Sequence, residues 1–420
     1  FSKTKIVAVG AEMKPGFCLA ADGKFFPAEI PGDITLERTE CFFEESVQDW
    51  MRLLNIRPET VVADLHPGYA SAQWGKQFAE QNGLPFYRAQ HHHAHALAVM
   101  AEHGLQGKTL AVCFDGTGLG DDGTVWGGEF LLCEGAAYQR AGHLKPVVML
   151  GGDASMPQAW KTAMCHLAAA GMSSNDPRFA VVKAALKQKI NCIETTSMGR
   201  LFDAAASMLG LADFNSHEGR CAMALEAAAR EALLKKIAPL PLSFVREEKN
   251  LNCEKEFAEE NKFVDADDFL RQINIEKQNL NCEKEFAAKH KIIYDPASIW
   301  RALCNKPLAD CSEKEECDPA NAESQFADKP DKNYSNNEFV CAAALGFHYA
   351  VCDMVVDMAE TMGVKQIVLA GGCFANRILL ETCFHVLQQR GFLVYYNEKV
   401  SPGDGGITLG QAYYGMLRKH

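Results

Sequence analysis

Residues 90–100 read QHHHAHALAVM and place four of the chain's thirteen histidines within five positions. On a helix His91 and His95 stand four apart on one face, a spacing at which two imidazoles can ligate one ion. His92 and His93 then point elsewhere. The run also reads as the polar start of an ordinary helix with one or two hydrogen-bonded histidines, and spacing alone leaves both readings open. The glutamate that serves as base in H-E-x-x-H metalloproteases is missing.

Five further stretches gather residues suited to chemistry. FDGTGLGDDGTVWGGE, from Phe114 to Glu129, follows an apolar run and is rich in glycine. Glycine lets backbone approach a ligand closely and lets clustered N–H groups cradle an anion, whereas DDGT alone suits a tight hairpin turn. No G-K-[ST] follows, so it is not a Walker loop. LAGGCFAN at 369–376 offers a strand, a Gly-Gly turn and a helix start, where a base or phosphate could sit. In SPGDGG, Asp404 is by default a helix N-cap, and it is also a hard ligand for a metal. DLHPGY gathers Asp64, His66 and Tyr69 at a strand end, and SMGRLFDAAASMLG is an apolar helix carrying Arg200 and Asp203. The absence of G-x-S-x-G argues against an α/β-hydrolase triad.

Alternating strands and helices must position these groups. KIVAVGAEM predicts a strand, FCLAADGKFFPAEI a hairpin turning at Asp22-Gly23, ESVQDWMRLLNI a helix, and SAQWGKQFAEQNG a helix stopping at Gly83. A second unit opens at KTLAVCFDG, and VKQIVLAGGCFANRILLETCF repeats strand, glycine turn and helix, so α/β layers in two units are expected. Between about 236 and 338 the texture turns polar, and NLNCEKEFA occurs at 250–258 and again at 279–287. That pattern predicts an insertion carrying a local duplication, with a partner-docking arm as its functional alternative.

With 420 residues the chain can bury more than one core, and 48% hydrophobic with 23% charged residues is a globular balance. A formal net charge of −12 argues against a nucleic-acid coat. The longest apolar runs, such as QIVLAGGCF, read as too short to cross a bilayer. Sixteen cysteines without a C-x-x-C exclude zinc-finger and thioredoxin spacings, even for Cys311 and Cys317, and predict reduced thiols in a cytoplasm. No signal-peptide pattern is visible, and a start at Phe1 is compatible with the C-terminal part of a longer protein.

Taken in order, VGAEMK, DLHPGY, QHHHAH, FDGTGLGDDGTVWGGE, GGDASMPQAW, TSMGRLFDAAASMLGL, HEGRCAMALE, LAGGCFAN and PGDGGITLGQA resemble the C-terminal domain of HypF, the carbamoyltransferase family of hydrogenase maturation. The resemblance covers about 5–235 and 338–418. It implies an α/β, actin-like ATPase (ASKHA) superfold with a nucleotide and metal cleft between two lobes, here 1–106 and 107–420. It further implies a mononuclear metal, iron or zinc, on His91, His95 and Asp404, with Asp115 as further ligand. Asp203 would meet a ribose, and Gly219, Gly371, Gly372 and Asn376 would border the nucleoside. Asp115, Gly116, Thr117 and Gly118 would meet the phosphate or carbamoyl end.

The implied reaction moves a carbamoyl group from carbamoyl-adenylate (made from ATP) to the C-terminal cysteine of a HypE-type partner, on the way to the cyanide ligand of NiFe hydrogenase. The family's acylphosphatase domain, C-x-x-C zinc motifs and adenylate-forming domain are not recognisable in this sequence, so this chain is expected to transfer or bind but not to make carbamate from carbamoyl phosphate. Gly403 stands where the family pattern usually has Asn. Two other readings remain at this point: a same-fold carbamoyltransferase acting on a small-molecule hydroxyl or transfer RNA, and a non-catalytic nucleotide-binding scaffold.

Overall fold

Among the described residues, two sheets share one central strand order. The computed structural model describes residues 4–152, 156–250, 290–304 and 336–418. The first sheet holds β1 (Ile6–Ala8), β2 (Gly16–Ala21), β3 (Lys24–Glu29), β4 (Thr60–Asp64) and β5 (Phe86–Ala89), ordered β3-β2-β1-β4-β5. Helices α1 (Glu37–Leu53) and α2 (Ala70–Asn82) connect its strands. The hairpin turns at Asp22 and Gly23, both at positive φ (51° and 75°), as a primed two-residue turn requires. Gly83 ends α2 in the left-handed conformation, as its position predicts.

β1, β2 and β4 are buried along their whole length because both faces of the sheet are covered. Alternate residues sort to opposite cores. Val7, Val9, Phe17, Leu19, Val61 and Ala63 meet α1 and α2, while Ile6, Ala8, Cys18, Ala20 and Val62 face the other way.

Helix α3 (His91–His103) leads into the second sheet, built from β6 (Thr109–Leu119), β7 (Val125–Glu134), β8 (Ala137–Leu144), β9 (Val147–Leu150) and β10 (Cys192–Thr195), with β11 (Val245–Asn250), β12 (His290–Asp295), β13 (Gln366–Ala370) and β14 (Leu393–Tyr396). Its central order, β8-β7-β6-β13-β14, repeats that of the first sheet, with two antiparallel neighbours on one side of the leading strand and two parallel ones on the other. The helices of this part are α4 (Ala159–Ala169), α5 (Arg178–Lys187), α6 (Met198–Met208), α7 (Arg220–Lys235), α8 (Ala297–Cys304), α9 (Asn336–Met362), α10 (Arg377–Gln389) and α11 (Ile407–Leu417). The two-lobed α/β architecture is the one expected.

Three expectations change. First, α9 is long and apolar enough by composition to span a bilayer, with a mean hydropathy of 1.8 over its best 18 residues, which the sequence reading missed. Its apolar residues spread over several turns between small ones, and 83% of that window is buried in the second core. Second, the polar region from 236 to 338 contains structured lobe: β12 pairs parallel with β8, and Ile292, Tyr294, Ile299, Trp300 and Leu303 are core residues. Averaged polarity hid these short apolar runs. The duplicated NLNCEKEFA segments, Cys311 and Cys317 lie outside the described residues, save Asn250 at the end of β11. Third, α11, which follows the second sheet in the chain, also packs against the first sheet, through Ile407, Ala412 and Met416. Among the described residues every cysteine is free, and most are buried.

α3 and α11 lie side by side between the two sheets. Ala94 of α3 joins α11 against the first sheet, while Ala96, Leu97, Val99 and Met100 join Tyr413 against Ala111, Cys113, Val368 and Ala370 of the second. A helix covered all round must be apolar nearly all round, and ALAVM supplies that. The two helices approach so closely that a Cβ on Gly410 would stand 1.8 Å from the Ala94 carbonyl oxygen. Gln411, fully buried, accepts from Gly10 N–H (2.9 Å) and donates to its carbonyl (3.1 Å), tying α11 to the end of β1. Gly410→Ala is therefore expected to force the helices apart and to lower stability in urea unfolding by at least about 2 kcal/mol, within the range for overpacked cores.

Candidate metal centre

Four side chains, two from α3 and one each from β6 and the turn before α11, meet at the N-terminal end of α3. β5 runs into Gln90, whose side chain caps the helix by accepting from His93 N–H (2.8 Å) and donates to the Leu119 carbonyl at the end of β6 (3.0 Å). This fixes where His91 and His95 emerge. Asp115 comes from β6, in a bulge where residues 115–117 face only Gly127 across the ladder. Asp404 comes from the turn between β14 and α11. That turn is fastened to the far end of α3, where Glu102 accepts from the N–H groups of Glu398 (2.7 Å) and Lys399 (2.5 Å).

One ligating atom from each of His91, His95, Asp115 and Asp404 lies within 4.8 Å of the others. His91 Nε2 stands 3.3 Å from Asp115 Oδ2 and 3.5 Å from Asp404 Oδ1, and His95 Nε2 is 3.5 Å from each carboxylate. The imidazoles are 1% and 2% exposed, the carboxylates 10% and 18%, so the cluster opens on its acidic side. Two buried carboxylates this close need a compensating positive charge. Burial disfavours a charged His91, but Asp64 together with Asp115 and Asp404 outweighs it and raises the His91 pKa. Burial likewise opposes ionisation of Asp115 and Asp404, and the two histidines reverse it, holding Asp404 at about 2. Two neutral imidazoles and two carboxylates balance one divalent ion, and this nitrogen and oxygen set suits zinc or ferrous iron. The centre fits the mononuclear metal that the family resemblance implies.

Asp404 is thus no N-cap: its side chain faces the histidines and caps nothing. Nor does the histidine run sit in water. His92 and His93 are buried, and burial pushes the His93 imidazole down to about 3, so both stay neutral inside the fold. Gly118 makes room for them: a Cβ there would stand 2.6 Å from His91 Cδ2 and 2.7 Å from His92 Cε1. Gly116 and Thr117 lie in the bulge beside it, where Ser197 bonds the Gly116 carbonyl and caps α6 at Arg200 N–H. Asp64 is the residue that motif reading left unassigned. It contacts His91 Nδ1 at 2.8 Å, and the only sequence signal was its place at a strand end.

The expected nucleotide residues are placed unevenly. Gly372 N–H donates to Asp115 Oδ1 (3.1 Å), so the turn after β13, with Gly371, borders the centre directly. Asp203, 1% exposed, receives both Arg200 Nε and Nη2 at 2.7 Å. Gly219 starts α7 next to Glu218, which pairs with Lys14 of the first lobe at 3.0 Å. Asn376 is mostly buried, caps α10 by accepting from Leu379 N–H (3.0 Å), and donates to His348 Nε2 (2.9 Å).

His348 in turn donates from Nδ1 to the Ala344 carbonyl (2.8 Å), a pattern that needs a neutral ring, and burial pushes its pKa down to about 4. The unfolded chain takes up this proton below about pH 6.5, the folded chain only near pH 4. The resulting stability is complete above that window and is lost as pH falls through it. Between about pH 7 and pH 5, His348→Gln should lose about 2 kcal/mol less stability than the wild type, read from urea unfolding at each pH.

Comparison with known proteins gives the family the chain resembles. Residues 1–102 match the family described as HypF Kae1-like domain, and residues 111–295 and 303–411 match carbamoyltransferase, Kae1-like domain, second subdomain. Carbamoyltransferase HypF2 of Cupriavidus necator is 31% identical over 99% of this chain and 47% of its own length. A carbamoyltransferase HypF homolog of the same organism is 28% identical over 97% of this chain and 90% of its own. A crystal structure of full-length HypF in the phosphate- and nucleotide-bound form superposes with a TM-score of 0.72 at 26% identity, over 99% of this chain and 46% of that one. The chain spans about half the length of most of the curated relatives it matches.

Proposed function

This chain belongs to the HypF family of carbamoyltransferases, and on that premise we propose that it is the transfer module of a hydrogenase-maturation enzyme. It would pass a carbamoyl group from carbamoyl-adenylate to the C-terminal cysteine of a HypE-type partner. The observation that carries the reading is the convergence of His91, His95, Asp115 and Asp404 beside the glycine bulge and the Gly371-Gly372 turn.

A divalent ion on these four residues would supply Lewis acidity at an oxygen of the acyl donor. The chain's own groups do the rest. Asp203 with Arg200, and the backbone of Gly219, Gly371 and Gly372 with Asn376, would hold the nucleotide, and Gly116 to Gly118 would border the carbamoyl end. In the transfer the partner's thiolate forms a C–S bond to the carbamoyl carbon as the C–O bond to the adenylate phosphate breaks, and AMP leaves with the electron pair. The nucleophile is assigned to the partner because the chain's own thiols beside the centre are unsuited. Burial raises the pKa of Cys113 and Cys373 well above the usual thiol range, Asp115 adds to this in both, and the thiol form is a poor nucleophile.

The adenylate itself would come from an adenylate-forming unit, together with an acylphosphatase unit, in the same protein or in a separate one. The acidic net charge of −12 disfavours transfer RNA as the acceptor. The test is mass spectrometry of a HypE-type C-terminal peptide after incubation with metal-loaded chain and carbamoyl-adenylate. A carbamoyl adduct on the cysteine is expected, and His91→Ala with His95→Ala should slow its formation at least about a hundredfold. Labelling of a small hydroxyl compound but never the peptide would shift the assignment to another acceptor. Adenylate binding without any transfer would leave a scaffold.

A further inference from the structure

Asp64 ends β4, the inner parallel strand of the first sheet, and is fully buried. It is not one of the four clustered residues, yet both its oxygens are committed. Oδ1 accepts from the His66 N–H at 2.9 Å, closing the tight turn of DLHPG, and Oδ2 lies 2.8 Å from His91 Nδ1. Arg88 holds the same strand end through the carbonyls of Asp64 (3.4 Å) and Leu65 (2.9 Å). The carboxylate is therefore aimed at His91 by the local backbone, whatever occupies the centre.

We propose that Asp64 is a positioning residue for the metal centre: by accepting from His91 Nδ1–H it fixes the tautomer that leaves the Nε2 lone pair facing His95, Asp115 and Asp404. The inference rests on the metal reading given above. An imidazole can ligate through Nε2 only if that nitrogen carries no proton, and a neutral ring then carries its proton on Nδ1. A buried carboxylate on Nδ1 selects that form, orients the ring and makes Nε2 a stronger donor.

The contact could instead be a structural tie between β4 and α3, and Asp64→Asn separates the two roles. The amide can keep its oxygen on His66 N–H and turn its NH2 group toward His91 Nδ1, so the number of hydrogen bonds is preserved. That arrangement makes Nδ1 the acceptor and places the proton on Nε2, which blocks ligation. The flipped amide sets two donors against each other at His66. A structural tie thus predicts little change, and a positioning role predicts loss of metal affinity in a folded protein.

The experiment measures zinc binding to the full chain by competition with a chromophoric chelator, alongside the thermal unfolding midpoint of the metal-free form. Asp64→Asn is expected to remain folded and to bind zinc about ten- to a hundredfold more weakly. Wild-type zinc affinity in this variant would overturn the positioning role while leaving the metal reading intact. A wild-type chain that binds no zinc or ferrous iron would overturn both. Should the variant fail to fold, nitrogen-15 spectra of histidine-labelled, zinc-loaded wild type decide: ligation at Nε2 with a proton on Nδ1 of His91 is expected, and ligation at Nδ1 refutes the inference.

Discussion

The burial of α3 is the constraint on which the rest depends. The helix lies between two sheets and against α11, so it touches apolar surface on almost every side. Polar groups can be tolerated only at its ends. At the N-terminal end His91 and His95 meet carboxylates from β6 and from the turn before α11, and at the C-terminal end Glu102 holds the opening of that same turn. One rigid helix therefore carries two candidate ligands and anchors the segment that brings another.

The electrostatics follow from that placement. Three carboxylates, Asp64, Asp115 and Asp404, surround two nearly inaccessible imidazoles. Without positive charge among them the arrangement would be strongly unfavourable, because burial penalises each ionised group. The raised pKa of His91 and the lowered pKa values of Asp115 and Asp404 express that demand. His92 and His93, in the same run, lack neighbouring acids that outweigh burial and are held neutral. Four histidines within five positions thus divide into two roles according to what each ring meets, not according to their own chemistry.

The two sheets repeat one order of strands, and the groups of the centre leave both of them at comparable places: after β4 and β5 in the first, in β6 and after β13 and β14 in the second. In open α/β sheets ligands gather beyond the carboxyl ends of parallel strands, where successive loops diverge. Placing two such sheets against one shared pair of helices brings both sets of ends together. A centre of this kind needs both lobes, since neither alone supplies every group.

Much of this was legible in the residues. The four-residue spacing of His91 and His95, the turn at Asp22-Gly23 and the stop at Gly83 are local features, set by backbone geometry over a few positions, and each stands where the sequence places it. The ordered motifs identified the family. What the sequence left open was long-range. Asp404 reads as an N-cap in its own turn, and only the folding of residue 404 beside residue 91 turns its carboxylate toward the histidines. Asp64 had no visible task until β4 stood next to α3. β12, α8 and the buried length of α9 escaped because burial is a property of neighbours, which local composition does not record. Local chemistry determined which side chains could act, and tertiary packing alone decided which of them meet, because charge and hydrogen bonding act through distances that chain order does not contain.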